Sequence, residues 1–216
     1  MKALNIIYEN FLLTEAVGKS LLLLDIDKTL VEPKNIYIYR NHPSDDGEVA
    51  LTPEEFAKDP LAKKKENKKY YDFRDFKDPD KVAKSIKTGI PLLDNLKTMD
   101  NYIQNGWEIG VLTARALENV VEKTMREWLM FRDASEGKLR SASARLARNL
   151  VFAVNDDSKS YEGISDFDKK AGIIKKLAEK YDRVYLLDDD EKNINAVNDM
   201  AKREGLQNKV RAMLAK

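Results

Sequence analysis

The chain of 216 residues contains no cysteine and a single histidine. The first absence removes disulfides, thiol nucleophiles and thiolate zinc sites together. It is compatible with a reducing cytosol. The second nearly removes any mechanism that needs a histidine base, because His42 stands in the polar run Asn41-His42-Pro43-Ser44, which reads as a turn. An excess of one charge is missing as well. Lys+Arg number 38 against Asp+Glu 37, a net charge of +1, so there is no global pull toward nucleic acid or membrane. Any electrostatic attraction to a partner must be local. Long apolar runs are also missing. The longest, Leu21 to Leu24, is far too short to span a bilayer. Glu9 and Glu15 interrupt the apolar residues near the N-terminus, and no small-residue cleavage site follows, so that segment does not read as a signal peptide. A cytoplasmic protein without a membrane partner is the expectation.

What is present is an ordinary soluble mixture, 43% hydrophobic and 35% charged. The length suits one domain with a sizeable core, or one core plus a small insertion. Leu4, Ile7, Phe11 and Leu12 are spaced for an amphipathic helix ending near Gly18. Ser20 to Asp25 is then a continuous apolar run closed by an acid, as a strand buried on both faces of a parallel sheet requires. Similar runs recur at Trp107–Leu112, Leu150–Val154 and Val184–Leu187, and a short last strand is expected around Lys209–Met213. Helical sequence separates them, at Leu92–Gln104, Ala116–Phe131, Lys169–Tyr181 and Glu191–Arg203. Strands alternating with helices predict right-handed crossovers: an α/β, three-layer, Rossmann-like parallel sheet.

One segment breaks the rhythm. Residues 31–90 hold an alternating Ile36-Tyr-Ile-Tyr39, a turn-like Pro43–Gly47 and a lysine-rich stretch from Ala62 to Lys69. This reads as a hairpin or flap followed by a helical insertion, a small cap over one end of the sheet. The predicted division is therefore an N-terminal helix over 1–19, a core made of 20–30 and 91–216, and the insertion over 31–90.

In an open α/β sheet the site lies at the carboxyl ends of the strands, so the residues just after each apolar run carry the information. After the first run comes Asp25-Ile-Asp27-Lys-Thr-Leu30, after the second Val111-Leu-Thr113-Ala-Arg115, and after the fourth Leu186-Leu-Asp188-Asp-Asp190-Glu-Lys-Asn193. In parallel strands these acids converge on one edge. Crowded carboxylates repel one another and need a cation. An all-oxygen donor set without cysteine favours Mg²⁺. Phosphoryl transfer fits such a site. A carboxylate attacks phosphorus, a metal neutralises charge, a second carboxylate moves the proton, and a hydroxyl and a lysine hold the equatorial oxygens. The run Asp168-Lys169-Lys170 before the fourth strand supplies the lysine.

These four blocks resemble, in order and spacing, the four motifs of haloacid-dehalogenase-superfamily phosphatases. The resemblance covers roughly residues 20–30 and 90–205. It implies Asp25 as nucleophile and Asp27 as general acid/base, with the Asp27 backbone carbonyl also serving the metal. It implies Thr113 as the phosphate-binding hydroxyl and Lys170 as the site lysine, 18 residues before Asp188, with Lys169 a competitor. Asp188-Asp189-x-x-x-Asn193 resembles the fourth motif, so Asp25, Asp27, Asp188 and Asp189 form the metal set, Asp189 being the favoured ligand of the last pair. Arg115 either binds substrate, as Thr113 and Lys170 do, or makes a surface ion pair. The segment 31–90 lies where such enzymes carry caps. The arrangement is also similar to small phosphatase-like proteins encoded by bacteriophages, which would place it in a host cytoplasm.

Two other patterns fail. Gly18-Lys19-Ser20 has Leu13 where a P-loop needs glycine, and Asp25-x-Asp27 is followed by Leu30 and Ile36 where a calcium loop needs glycine and glutamate. The expected activity is a Mg²⁺-dependent phosphomonoester hydrolase working through an aspartyl-phosphate. Its substrate is a phosphorylated small molecule or a nucleic-acid end. The lysine stretch and Tyr70-Tyr-Asp-Phe73 lean toward a nucleotide or polynucleotide phosphate, though the same aromatics also serve as core anchors. Hydrolysis and transfer to another acceptor would use the same residues. The alternatives are a non-catalytic phosphate- or nucleotide-binding protein and a phage structural or packaging protein on the same fold.

Overall fold

A computed structural model describes residues 18–136 and 146–216. The helix expected over Asn5–Ala16 lies outside the described residues. Five parallel strands form the central sheet: β1 (Ser20–Leu24), β7 (Glu108–Thr113), β8 (Leu146–Ala153), β9 (Arg183–Asp188) and β10 (Val210–Leu214). They lie in the order β10-β9-β1-β7-β8, so β1 is central and the strand order reverses beside it.

The four leucines of β1 show why the run is continuous rather than alternating. Leu22 and Leu24 face one layer, where they meet Leu96, Met99 and Ile103 of α4 (Leu93–Gln104) and Val121, Met125 and Trp128 of α5 (Glu118–Glu136). Leu21 and Leu23 face the other, against Ile173, Ile174 and Leu177 of α6 (Asp166–Leu177) and Val197 and Met200 of α7 (Glu191–Arg203). All four are at most 1% exposed. With helices on both faces, side chains of either parity must be apolar. The molecule is thus the expected three-layer, Rossmann-like α/β fold.

The segment between β1 and α4 leaves and returns through a narrow neck, the antiparallel pair β2 (Val31–Glu32) and β6 (Ile90–Pro91). Beyond the neck, β3 (Ile38–Arg40) pairs antiparallel with both β4 (Val49–Leu51) and β5 (Tyr71–Asp72). The alternation read at 36–39 is present, with Ile36 and Ile38 buried and Tyr37 and Tyr39 half-buried. Two short helices, α1 (Pro53–Lys58) and α2 (Arg74–Lys77), complete this part. α1 begins with a capping box between Thr52 and Glu55 and a proline in its first turn, the pattern that satisfies its free amides. The lysine-rich stretch ends in a 3-10 helix, Lys65–Tyr70, in which Asn67 is buried while the lysines stay in solvent. His42 does lie in a loop, edge-on to Tyr70 at 4.9 Å.

The last helix of this segment, α3 (Pro79–Lys87), packs differently. Its Val82 and Ile86 join the core cluster of α4 and α5. Three element starts also differ from the sequence reading by two residues or more. β8 begins at Leu146 rather than Leu150, and α5 at Glu118 rather than Ala116. α6 begins at Asp166 rather than Lys169, because Ser165 and Asp168 form a capping box.

Candidate active site

The register of the sheet assembles the site. Leu24 pairs with Val111 on one side and Leu187 on the other, so the next residues, Asp25 and Asp188, emerge side by side. The Asp25 amide donates to the Leu187 carbonyl at 3.0 Å, extending the ladder one step. Thr113 ends β7 and is 1% exposed. The chain then turns sharply. Lys28 adopts a left-handed φ of 57°, and the Ile26 carbonyl accepts from the amides of Thr29, Leu30 and Val31. A non-glycine residue in that region costs roughly 1 kcal/mol, which the three converging bonds offset. Asn95 of α4 secures the turn from below by donating to the Thr29 carbonyl at 2.9 Å.

Lys170 is the largest fully buried side chain among the described residues. It extends from α6 so that its Nζ lies 2.7 Å from Asp188 Oδ2 and 3.3 Å from Asp25 Oδ1. Lys169, its competitor in the sequence, turns instead to the end of β8 and donates to the Val154 carbonyl and Asn155 Oδ1. The other oxygen of Asp188 accepts from Asn193 Nδ2 at 2.8 Å and from the Asp190 amide at 3.0 Å. Asp188 therefore has a protein partner on each oxygen, while Oδ2 keeps a second lone pair. Asp189 is half-buried beside it, and carboxylate oxygens of Asp25, Asp188 and Asp189 all lie within 4.8 Å of one another.

Three carboxylates share one ammonium, and the imbalance shows. Burial is the largest influence on Asp25. Lys170 opposes it, and repulsion from Asp188, Asp27 and Asp189 adds to it, so the carboxyl is pushed up to about 7. Burial and then Asp188 push Asp189 up to about 6. Burial alone would push Lys170 down, but Asp25 and Asp188 outweigh it and hold the ammonium above the ordinary lysine range.

Asp27 stands apart from this cluster. Arg115 clamps its carboxylate with both ends of the guanidinium, Nε to Oδ2 at 2.9 Å and Nη2 to Oδ1 at 2.6 Å. Arg115 is 3% exposed, so it is not a surface ion pair. Its remaining nitrogen, Nη1, reaches α3, donating to Ser85 Oγ at 2.7 Å and the Val82 carbonyl at 3.3 Å. Ser85 Oγ in turn donates to the Val82 carbonyl at 2.8 Å. Asp27 is about a third exposed, and each of its oxygens keeps a second lone pair. Ser85 and Asn95 were not singled out in the sequence, since a polar residue inside a helix carries no mark of its burial until the helix is placed.

The structure thus brings Asp25, Asp188, Asp189 and Lys170 into one cluster. Thr113 is buried at the end of the adjoining strand, and Asp27 is held next to the cluster by Arg115. The carboxylates are an all-oxygen donor set whose mutual repulsion a divalent cation would relieve, so the residues fit Mg²⁺. Asp25, Asp188 and Asp189 each offer a carboxylate oxygen. Asp188 also holds Lys170 and Asn193 in place.

No family model matches the chain, and no curated protein does. Among solved structures it is similar to the HAD domain of the effector protein Lem4 from Legionella pneumophila and to an inactive mutant of that domain. Each is 15% identical, with a TM-score of 0.41, over 92% of this chain and 86% of the other.

Proposed function

We propose that the protein is a Mg²⁺-dependent phosphomonoester hydrolase that works through an aspartyl-phosphate on Asp25. The observation that carries this is the placement of Asp25, buried at a strand end with Lys170 on one side and two further carboxylates within 4.8 Å. In the first step an Asp25 oxygen attacks phosphorus, a P–O bond forms, and the bond to the leaving oxygen breaks. Asp27 delivers a proton to that oxygen and afterwards takes one from the water that cleaves the acyl phosphate, releasing phosphate and restoring Asp25. Lys170 and the Thr113 hydroxyl hold the equatorial oxygens as charge redistributes. Asp25 and Asp189, with the Asp27 carbonyl, would hold the cation, which when bound neutralises charge between nucleophile and phosphoryl group. The substrate is a phosphorylated small molecule or a nucleic-acid end.

One observation favours a second reading, a protein on the same fold that binds a phosphate without turning it over. The carboxylate that should move the proton is already clamped by Arg115. Phosphate release from p-nitrophenyl phosphate and a nucleotide panel, with and without Mg²⁺, separates the two. The expected result is metal-dependent turnover that Asp25→Asn reduces by about 10³-fold or more. Turnover undiminished in Asp25→Asn would remove Asp25 as nucleophile. Tight phosphate binding with no turnover would favour the second reading.

A further inference from the structure

A cleft of about 310 Å³ lies where the part of the chain beyond the neck meets the core. Its walls are Ile38, Pro53, Phe56, Phe73 and Phe76 from the insertion and Ala114 from the core. Its size is at the low end of the range for small-molecule sites, about 300–1,000 Å³. Ala114 is the exposed residue between Thr113 and Arg115, so one wall of the cleft is continuous with the site described above.

The aromatic wall is unusual in being left open. Phe73 is 40% exposed although it lies among apolar neighbours. Phe56 meets Phe73 edge to face at 5.4 Å and 85°, and Phe73 meets Phe76 at 6.1 Å and 63°. No ring in this trio is stacked flat on another, the arrangement that leaves a planar guest something to stack against. Lys77 also lines the cleft, with a largely exposed ammonium that makes only a 3.6 Å pair with the exposed Asp157. An aliphatic guest would use neither the ring faces nor that charge. A nucleobase uses both: every base has a π-face for the rings, and its ring nitrogens and carbonyl oxygens accept from an ammonium.

We infer that this cleft is a subsite for the nucleobase of a phosphomonoester whose phosphate sits at Asp25; the second half of that statement rests on the function proposed above. The shared chemistry, a base joined through a sugar to a terminal phosphate, comes either from a mononucleotide or from the end of a strand.

The test compares adenosine 5′-monophosphate with ribose 5-phosphate, which carries a hydroxyl in place of the base, in kcat/KM and in equilibrium binding. The binding arm does not depend on turnover, so an inactive protein that still prefers the base-bearing ligand would overturn the hydrolase and leave the subsite standing. The full chain should prefer the nucleotide by ~10-fold or more. In Phe73→Ala that ratio should fall below about 3-fold, and Phe73→Leu, which keeps apolar bulk without the ring, should fall nearly as far. Phe56→Ala, with the fold checked by circular dichroism, supplies a second position. A ratio near one in the wild type, or a ratio that survives both alanine variants, would overturn the subsite. A 5′-phosphorylated oligonucleotide bound more tightly than the mononucleotide would support it and identify a strand end as the source. The reverse order would support it and identify the mononucleotide.

Discussion

Asp25 and Asp27 are two residues apart and meet opposite surroundings. Asp25 is desolvated and surrounded by like charges, whereas Asp27 is about a third exposed and held by a guanidinium. On the function proposed above, the pair Arg115–Ser85 is therefore expected to act on the proton-moving step. Arg115→Lys keeps the charge but loses the two-pronged grip, and Ser85→Ala removes one of the contacts that fix Arg115. Loss of a buried hydrogen bond of this kind costs about 1–3 kcal/mol. Both variants should lower kcat more than they raise KM and should reshape the pH–rate profile. Ser85→Thr should restore much of the loss. A change confined to KM would mean that Arg115 acts on substrate binding rather than on Asp27. Lys170 and Lys169 offer a second contrast at this scale. Lys170→Met leaves two buried carboxylates without their ammonium and should destabilise the metal-free protein by about 3–5 kcal/mol. Lys169→Met, which touches only the end of β8, should cost far less. Urea midpoints of the two variants make the comparison. Legibility follows the same line. The acids at the strand ends could be read because a continuous apolar run announces where it stops. Lys170 could not be told from Lys169 by sequence, since only the rotation of α6 decides which of two neighbouring lysines faces the sheet.

At the scale of elements, β1 dictates most of the architecture. Its leucines demand a helical layer on each face, and that demand was visible in the sequence as a run without alternation. The start of β8 was not visible, because Leu146 is followed by Ala147-Arg148-Asn149 before the apolar run resumes. The register irregularity between Ile109 and Val111 lies at the same place. Gly110 is needed there: a Cβ would sit 2.7 Å from the Leu150 carbonyl and 2.8 Å from a Leu23 methyl. Gly110→Ala should destabilise the sheet by about 1–3 kcal/mol through overpacking, read as a lower melting temperature with the fold retained. The insertion was legible as an interruption but not in its parts. α3 falls inside the interrupted segment, yet it packs as a core helix through Val82 and Ile86, and it also holds Arg115. The aromatics at 70–73 divide similarly. Tyr71 is anchored on Phe56 and on Asp59, while Phe73 stays open to solvent.

For the whole molecule, the charged cluster is expected to link stability to pH and, on the function proposed above, to metal. The unfolded chain releases the Asp25 proton near 3.8, whereas the native carboxyl holds it up to about 7. Between those values the native state binds more protons than the unfolded one, so raising the pH through this window lowers stability. Asp25→Asn removes the effect. Without metal, the variant should therefore gain on the wild type as the pH rises from about 4 to about 7, measured by urea unfolding at each pH. A difference flat across this range would mean that Asp25 is already ionised in the native protein. Mg²⁺ at about 100 times its dissociation constant should stabilise the wild type by about 2.7 kcal/mol, and much less in Asp25→Asn.

The neck formed by β2 and β6 is four residues in all, two outbound and two returning. Everything that lines the aromatic cleft from the insertion side lies beyond it, while the carboxylates and Lys170 lie before or after it in the chain. On the function and subsite proposed above, ligand preference and chemistry are therefore separable in inheritance. The stretch from residue 33 to residue 78 is then expected to tolerate exchange with the carboxylates and Lys170 left in place, provided α3 stays behind to keep its hold on Arg115.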